Sequence, residues 1–370
     1  MTTALLPIGV LVGAFIIAAL VVPVSGRIAR RFGVMDEPGP RKVHAAPTPR
    51  IGGIAVYVAF TAVVLAGYFG VPVLSQIDWV RTNLAGPVAM LQEAYRVESK
   101  LLALLLGATI VFVVGLLDDG LGSRFKVGWK AAGQVLAAVV LVAGGIRTDF
   151  LYYDWLNVLV TLVWVVGITN AFNLLDNMDG LSAGVALVAS LVLLLNAWLL
   201  GGFFMSLVYV ALIGALLGFL IYNWHPASIF LGDGGSLFIG FTLASLTLLQ
   251  RYVSNASSTY FPVLMPLLVL AIPILDTTTV TFIRIRERRP IYVGDSRHLS
   301  HRLVSLGMKP SLAVFTIYLI SLGLGLGAVG LAHANLVEAI IILLQALAVV
   351  AVVLILLFYE RRTQPRREAP

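Results

Sequence analysis

Runs of roughly 20 predominantly apolar residues recur along this 370-residue chain, separated by short polar connections. A helix needs about that many apolar residues to cross a bilayer. On this rule we expect an all-α, polytopic membrane bundle of about eleven spans. They fall near 5–25, 51–72, 101–117, 131–146, 155–172, 181–200, 205–222, 236–251, 260–283, 311–332 and 335–358. Composition agrees: 59% of residues are hydrophobic and only 12% charged, and mean hydropathy is +0.98. A soluble domain is nearer 45–50% apolar.

Cysteine is absent, which excludes disulfides, thiolate catalysis and cysteine metal sites. The formal charge of +7 suits basic loops of a membrane protein better than a nucleic-acid surface. The first run, Leu5 to Val24, is preceded by no Lys or Arg and followed by "RIARR", the reverse of a signal peptide. We read it as a retained span with its N-terminus outside. Residues 1–360 are expected to form one transmembrane domain, and 361–370 a basic cytoplasmic tail.

Orientation follows the basic residues. Twenty of the 25 Lys and Arg fall in 26–50, 118–130, 284–310 and the C-terminal tail. The other five are Arg81, Arg96, Lys100, Arg147 and Arg251. That bias makes the first set of connections, and the C-terminus, cytoplasmic.

Every polar cluster of unusual composition lies on that same predicted face. "LLDDGLGSR" (116–124) holds Asp118 and Asp119 at a predicted helix end. A helix C-terminus disfavours carboxylates, and two neighbours push each other's pKa apart, so one of them can act as a base. "NAFNLLDNMDG" (170–180) carries Asn173, Asp176 and Asp179. A turn closed by Gly180 explains one Asp but not Asn170 and Asn173, which lie at the membrane boundary, where polar groups are costly. "NWHPASIFLGDGGS" (223–236) sets Asp233 among glycines: a tight turn, or a backbone open to a phosphate. "DSRHLSHRL" (295–303) places His298 and His301 three apart, flanked by Arg297 and Arg302. This reads better as an anion site than as zinc, because no third soft ligand is evident. "RKVHAAPTPRIGG" (41–53) adds His44, Thr48 and Arg50. Carboxylates and asparagines suit Mg2+ or Mn2+, basic groups suit phosphates, and together they equip a site for phosphoryl transfer between an aqueous and a lipid substrate.

These five motifs, in this order, resemble the polyprenyl-phosphate N-acetylhexosamine-1-phosphate transferases, glycosyltransferase family 4, over nearly the whole chain. "DEPGPRKVHAAPTPRIGG", "DDGLGSRFKVGWKAAGQ", "NAFNLLDNMDGLSAG", "FLGDGGSLFIG" and "DSRHLSHRL" carry the resemblance. It implies transfer of an N-acetylhexosamine 1-phosphate from a UDP-sugar to undecaprenyl phosphate, releasing UMP. It also implies a multi-pass enzyme of a bacterial or archaeal cytoplasmic membrane, with a cytoplasmic site, that starts an envelope polysaccharide such as lipopolysaccharide or teichoic acid. By the same resemblance Asp233 ligates Mg2+ with Asn173, Asp118 and Asp119 hold or deprotonate the lipid phosphate, and Lys130 contacts phosphate. Asp176, Asp179, Asn223 and Phe230 line the uridine and diphosphate pocket. His298, His301 and Arg302 face the diphosphate or sugar, and His44, Thr48 and Arg50 complete the site. Partners are the UDP-sugar, the lipid carrier and the bilayer, with no nucleic acid; a homodimer is allowed.

Ser300 and Asn177 depart from the family pattern and bear on the sugar. The His pattern favours N-acetylglucosamine over the phospho-N-acetylmuramoyl-pentapeptide branch. Asp276, inside the ninth span, should pair with a basic group of the loop that follows. The rivals are a secondary transporter, which would bind near the bilayer midplane, and a membrane scaffold.

Overall fold

The computed structural model describes residues 2–38, 46–84, 97–253, 257–290 and 297–359, with positions 86, 88, 91, 92 and 95 between them. His44, the tail 361–370, and Asp295 and Ser296 of the His motif lie outside the described residues. The chain forms two compact units, Met1–Arg251 and Tyr252–Pro370.

The first unit is built from α1 (Thr2–Phe32), α2 (Gly53–Leu74), short α3 (Asp78–Asn83), α4 (Glu98–Leu121), α5 (Val127–Ala143), α6 (Asp154–Leu175), α7 (Leu181–Leu199), α8 (Phe203–Asn223) and α9 (Gly232–Leu249). Between α1 and α2 a two-residue ribbon pairs β1 (Met35–Asp36) with β2 (Thr48–Pro49), antiparallel. Helix α9 is the axis of this unit: α2, α4, α6 and α7 pack on it, and 83% of its most apolar window is buried. Only 17% of the α1 window is buried. Leu5, Ile8, Val12, Ile16, Leu20 and Val24 of α1 face outward at helical spacing, as a lipid-facing stripe does. Near the axis, Tyr57 of α2 stacks on Phe112 of α4 at 4.0 Å, and Phe238 of α9 meets Tyr57 edge-on at 5.5 Å. The Tyr57 hydroxyl pairs with Thr109 at 3.0 Å, so the one polar atom of this aromatic knot is satisfied.

The second unit holds a 3₁₀ turn (Phe261–Leu264), α10 (Met265–Val269), α11 (Ala271–Arg286), α12 (Leu299–Ser305), α13 (Pro310–Gly330) and α14 (Leu336–Tyr359). Residues 260–283 were expected to form one span. The structure breaks them by 67° between Val269 and Ala271. Pro273 has no N–H to offer the Val269 carbonyl, so the helical ladder is interrupted there. Ala271, Leu324 and Ala346 bring α11, α13 and α14 into one small core.

Among the described residues, nine helices are long and apolar enough to cross a membrane, or ten if the bent pair counts as one span. The expected fourth span, near 131–146, is α5. It has only 17 residues, or about 26 Å of rise, short of the hydrocarbon thickness.

Candidate active site

At one end of the first unit, the last turns of α4 and α6 meet the first turns of α5 and α9. Helices that alternate up and down bring alternate ends together, so residues far apart in sequence become neighbours. Lys130 of α5 is the hinge of the cluster. Its Nζ donates to Asp118 Oδ2 at 3.0 Å and to Asp233 Oδ2 at 2.9 Å. Asp233 Oδ1 accepts from Asn173 Nδ2 at 2.7 Å, and that amide also reaches Ser236 Oγ at 2.9 Å. The structure therefore joins Asp118, Lys130, Asn173 and Asp233 directly. Asn173 turns its nitrogen, not its oxygen, toward Asp233, and so orients that carboxylate.

The expected Asp118–Asp119 pair splits. Asp118 keeps a side chain 19% exposed, whereas that of Asp119 is 1% exposed. Asp119 Oδ1 accepts from the Asp233 backbone N–H at 3.0 Å and from Arg50 Nε at 3.1 Å. Its Oδ2 accepts from the Gly234 N–H at 2.9 Å. Arg50 Nη2 lies 2.9 Å from Asp119 Oδ1 and 4.0 Å from Asp233 Oδ2. Asp119 therefore closes the start of α9, where unsatisfied N–H groups and the helix dipole favour an anion. The same contacts correct the phosphate-binding reading of the glycine loop, because two of its N–H groups serve Asp119. Gly232 makes the junction possible: its φ is +74°, and a Cβ there would lie 1.9 Å from the Arg50 carbonyl oxygen. Gly115 allows α4 to approach, since its Cβ would lie 2.5 Å from the Asp233 carbonyl oxygen.

Arg50 is delivered by the ribbon. Thr48 is buried in β2 and donates to the Ala46 carbonyl at 3.1 Å. The Phe230 N–H bonds the Pro49 carbonyl at 2.8 Å, and Gly52 N–H returns a bond to the Phe230 carbonyl at 2.9 Å. The loop before α2 is thereby fixed to the loop before α9. Burial works against the charge of Arg50, but Asp119, Asp233 and Asp36 outweigh it and its pKa is raised.

Asp176 caps α6 and makes no side-chain hydrogen bond among the described residues. Burial, then the nearby Asp233 and Asp119 carboxylates, push its pKa well above the usual carboxylate value. Asp179 and Asn223 are tied down. Asp179 Oδ2 pairs with His225 Nδ1 at 2.8 Å and accepts from Ala227 N–H at 3.1 Å. Asn223 is buried, accepts from Gly180 N–H at 3.0 Å and donates to the Ile229 carbonyl at 2.9 Å. Both lace the α6–α7 loop to the α8–α9 loop, while Phe230 stays partly exposed.

Two of these positioning roles were not assigned from sequence. His225 was visible only as a His before a Pro. Asn170, read as too polar for its place, is satisfied by Gln134 of α5: Asn170 Nδ2 lies 2.5 Å from Gln134 Oε1. That amide pair lies one turn after Lys130 and holds α5 against α6.

In the second unit His298 stands just before α12 and is buried, and its ring lies 6.4 Å from that of His301. Asp276 does pair with the following loop. Its Oδ2 is 2.6 Å from His298 Nδ1, and its Oδ1 accepts from Leu299 N–H at 2.7 Å. Arg302 is buried and donates from Nε to the Arg297 carbonyl at 2.9 Å.

Among the described residues no three His, Cys, Asp or Glu side chains form a cage able to hold a metal unaided. In the first unit, however, Asp118, Asp119, Asp176 and Asp233 are gathered around two cations, Arg50 and Lys130. The excess charge is negative and the donors are hard oxygens. Mg2+ takes one or two protein carboxylates and fills its other positions with water and substrate phosphate. The donor set fits that habit.

Comparison with known proteins gives a coherent picture. A family model described as glycosyl transferase family 4 matches residues 101–250, the stretch from α4 to the end of α9. A probable undecaprenyl-phosphate N-acetylglucosaminyl 1-phosphate transferase of Bacillus subtilis is 34% identical over 339 residues, covering 88% of this chain and 86% of that one. A decaprenyl-phosphate N-acetylglucosaminephosphotransferase of Mycolicibacterium smegmatis is 34% identical over 319 residues, 79% of this chain and 74% of that one. An undecaprenyl-phosphate alpha-N-acetylglucosaminyl 1-phosphate transferase of Escherichia coli K12 is 27% identical over 327 residues, 84% and 79% of the two chains.

Proposed function

Because this chain belongs to glycosyl transferase family 4, we propose that it moves N-acetylglucosamine 1-phosphate from a UDP-sugar onto undecaprenyl phosphate or a similar polyprenyl phosphate. UMP is released, and the reaction runs at the cytoplasmic face of the cell membrane. The sugar follows the names of the relatives. The face follows the basic bias of the connections that carry the cluster. The product would begin an envelope polysaccharide.

The observation that carries this reading is the shared lysine: Lys130 grips Asp118 and Asp233 together where the ends of α4, α5 and α9 meet. Phosphoryl transfer needs positioning and charge stabilisation more than covalent help from protein. In the reaction, an oxygen of the lipid phosphate bonds to the sugar-linked phosphorus of the UDP-sugar. The bond from that phosphorus to the bridging oxygen breaks, and UMP leaves with the electron pair. Asp118, partly exposed, is the carboxylate that orients the lipid phosphate and accepts its proton if it arrives protonated. Lys130 and Arg50 offset phosphate charge as it develops on the leaving UMP. Asp119 acts through Arg50 and α9 and is a positioning residue. Asp233 and Asp118 would hold Mg2+, with Asn173 orienting Asp233 rather than ligating as the resemblance implied; bound there, the ion would neutralise phosphate oxygens and polarise the bond to be broken. Asp176, Phe230, and the loops fixed by Asp179 and Asn223, form the wall offered to uridine and diphosphate. On the family resemblance alone, His298, His301 and Arg302 face the diphosphate or sugar, and His44 and Thr48 complete the site.

The test is UMP release from UDP-N-acetylglucosamine by purified protein, with and without polyprenyl phosphate and Mg2+. Release that needs both supports the reading. Uptake of labelled sugar nucleotide into vesicles without covalent change would replace it with a transporter.

A further inference from the structure

The opposite end of the first unit carries a second, chemically different feature. A cavity of about 480 Å³ opens between the start of α4, the end of α7, the start of α8 and the end of α9. Its walls are apolar, with Leu104, Phe204 and Val208 among them, except for Lys100, Gln250 and Arg251. Lys100 and Asp118 are 18 residues apart on α4, so the cavity is about 27 Å from the carboxylate cluster along the helix.

The two cations are unusual in three ways. They are two of only five Lys and Arg on this side of the charge bias, yet they line one cavity. Two neighbouring charged groups on this side have partners of their own: Arg147 pairs with Asp154 at 3.3 Å, and Glu98 accepts from the Tyr68 hydroxyl at 2.6 Å. No carboxylate among the described residues pairs with Lys100 or Arg251. Finally, the backbone that launches Arg251 is held in place. Buried Asn196 donates to the Arg251 carbonyl at 3.3 Å. Gln250 accepts from the Tyr209 hydroxyl at 2.6 Å and donates to the Leu193 carbonyl at 3.2 Å. A neighbouring cavity of about 370 Å³, lined by Pro7, Trp198 and Phe203, has no charged wall residue, so paired cations are not a general property of grooves at this end.

Two cations that no described carboxylate pairs, at the mouth of a cavity lined mostly by apolar side chains near a membrane boundary, match one class of ligand, a molecule with an anionic phosphate head and a hydrocarbon body. We infer that this cavity binds an anionic phospholipid of the leaflet opposite the carboxylate cluster, with Lys100 and Arg251 on its phosphate and an acyl chain along Leu104, Phe204 and Val208. A soluble anion would not use the apolar wall, and a zwitterionic lipid would bring its own cationic group against Lys100 and Arg251. The site is independent of the transfer chemistry proposed above.

The experiment uses the full chain, stripped of lipid and placed in nanodiscs with defined mixtures of phosphatidylglycerol and phosphatidylcholine, with retained lipid counted by native mass spectrometry. A cation on an anionic lipid contributes about fivefold, so the pair should favour phosphatidylglycerol by about 25-fold. Lys100→Gln with Arg251→Gln should abolish that preference, and Lys100→Arg with Arg251→Lys should keep it. If the double Gln protein aggregates, Arg251→Gln alone, at an exposed side chain, should lower the preference about fivefold. Equal retention of the two lipids by the unaltered protein would overturn the inference. So would an undiminished preference in the Gln variants, or displacement by millimolar inorganic phosphate or by polyprenyl phosphate.

Discussion

Replacing each member of the adjacent aspartate pair by asparagine separates chemistry from architecture. Asp119→Asn substitutes an amide where both oxygens accept. Oδ1 holds the Asp233 N–H and Arg50, and Oδ2 holds the Gly234 N–H. An asparagine keeps one acceptor, so one buried backbone donor at the start of α9 would meet an NH2 group. An unsatisfied buried donor costs about 1–3 kcal/mol. Breaking a buried ion pair from one side costs about 3–5 kcal/mol, a figure that includes part of the same loss. Relief of like-charge crowding with Asp233 and Asp176 returns some of it, so we expect a net loss of about 3 kcal/mol. Asp118→Asn differs. The side chain is partly exposed, and Lys130 keeps its bond to Asp233. The change in stability should stay within about 1 kcal/mol, while turnover falls about 100-fold or more. Thermal unfolding in detergent, followed by fluorescence-detected size exclusion, is run beside UMP release. Equal unfolding temperatures for Asp119→Asn and the unaltered protein, with turnover as low as in Asp118→Asn, would refute the assignment of Asp119 to architecture.

Other outcomes follow from the same geometry. Asp233→Asn should abolish Mg2+-dependent UMP release while moving the unfolding temperature little, because Lys130 retains Asp118; near-full activity would remove Asp233 from the metal site. Gly232→Ala should cost about 2 kcal/mol or more in the same unfolding assay, since the new methyl meets the Arg50 carbonyl at a positive φ. Asp176 has a raised folded pKa, so the stability it favours is complete below the unfolded carboxylate pKa and is lost as pH rises through the folded one. Asp176→Asn should therefore flatten the fall of unfolding temperature toward alkaline pH in divalent-free buffer; an unchanged slope would contradict it.

The transmembrane helices were legible because hydrocarbon imposes a length and a composition that few other environments require. Two deviations have local causes that composition averages away: Pro273 interrupts an otherwise apolar run, and α5 stops at Ala143, before Gly144 and Gly145. Asn173 was recognisable as a polar group too costly for a membrane boundary without a task, and Asp118 as a carboxylate at a disfavoured helix end, whereas the roles of Lys130 and Asp233 came from the family resemblance. The division of labour between Asp118 and Asp119 was not, since it depends on which side of the last turn of α4 meets α9, and adjacent residues on a helix point about 100° apart. Asn170 illustrates the same limit. Its polarity was conspicuous, but its partner Gln134 lies 36 positions away and becomes a neighbour only when α5 packs on α6.

The start of α9 has a chemical consequence for any phosphate that approaches it. Many nucleotide-binding folds leave the amides of such a turn open and lodge the ligand's charge there. Here the protein supplies its own resident anion, and the main-chain donors at 233 and 234 are already spoken for. Charge recognition is thus handed from fixed main chain to long side chains, whose identity one codon can alter.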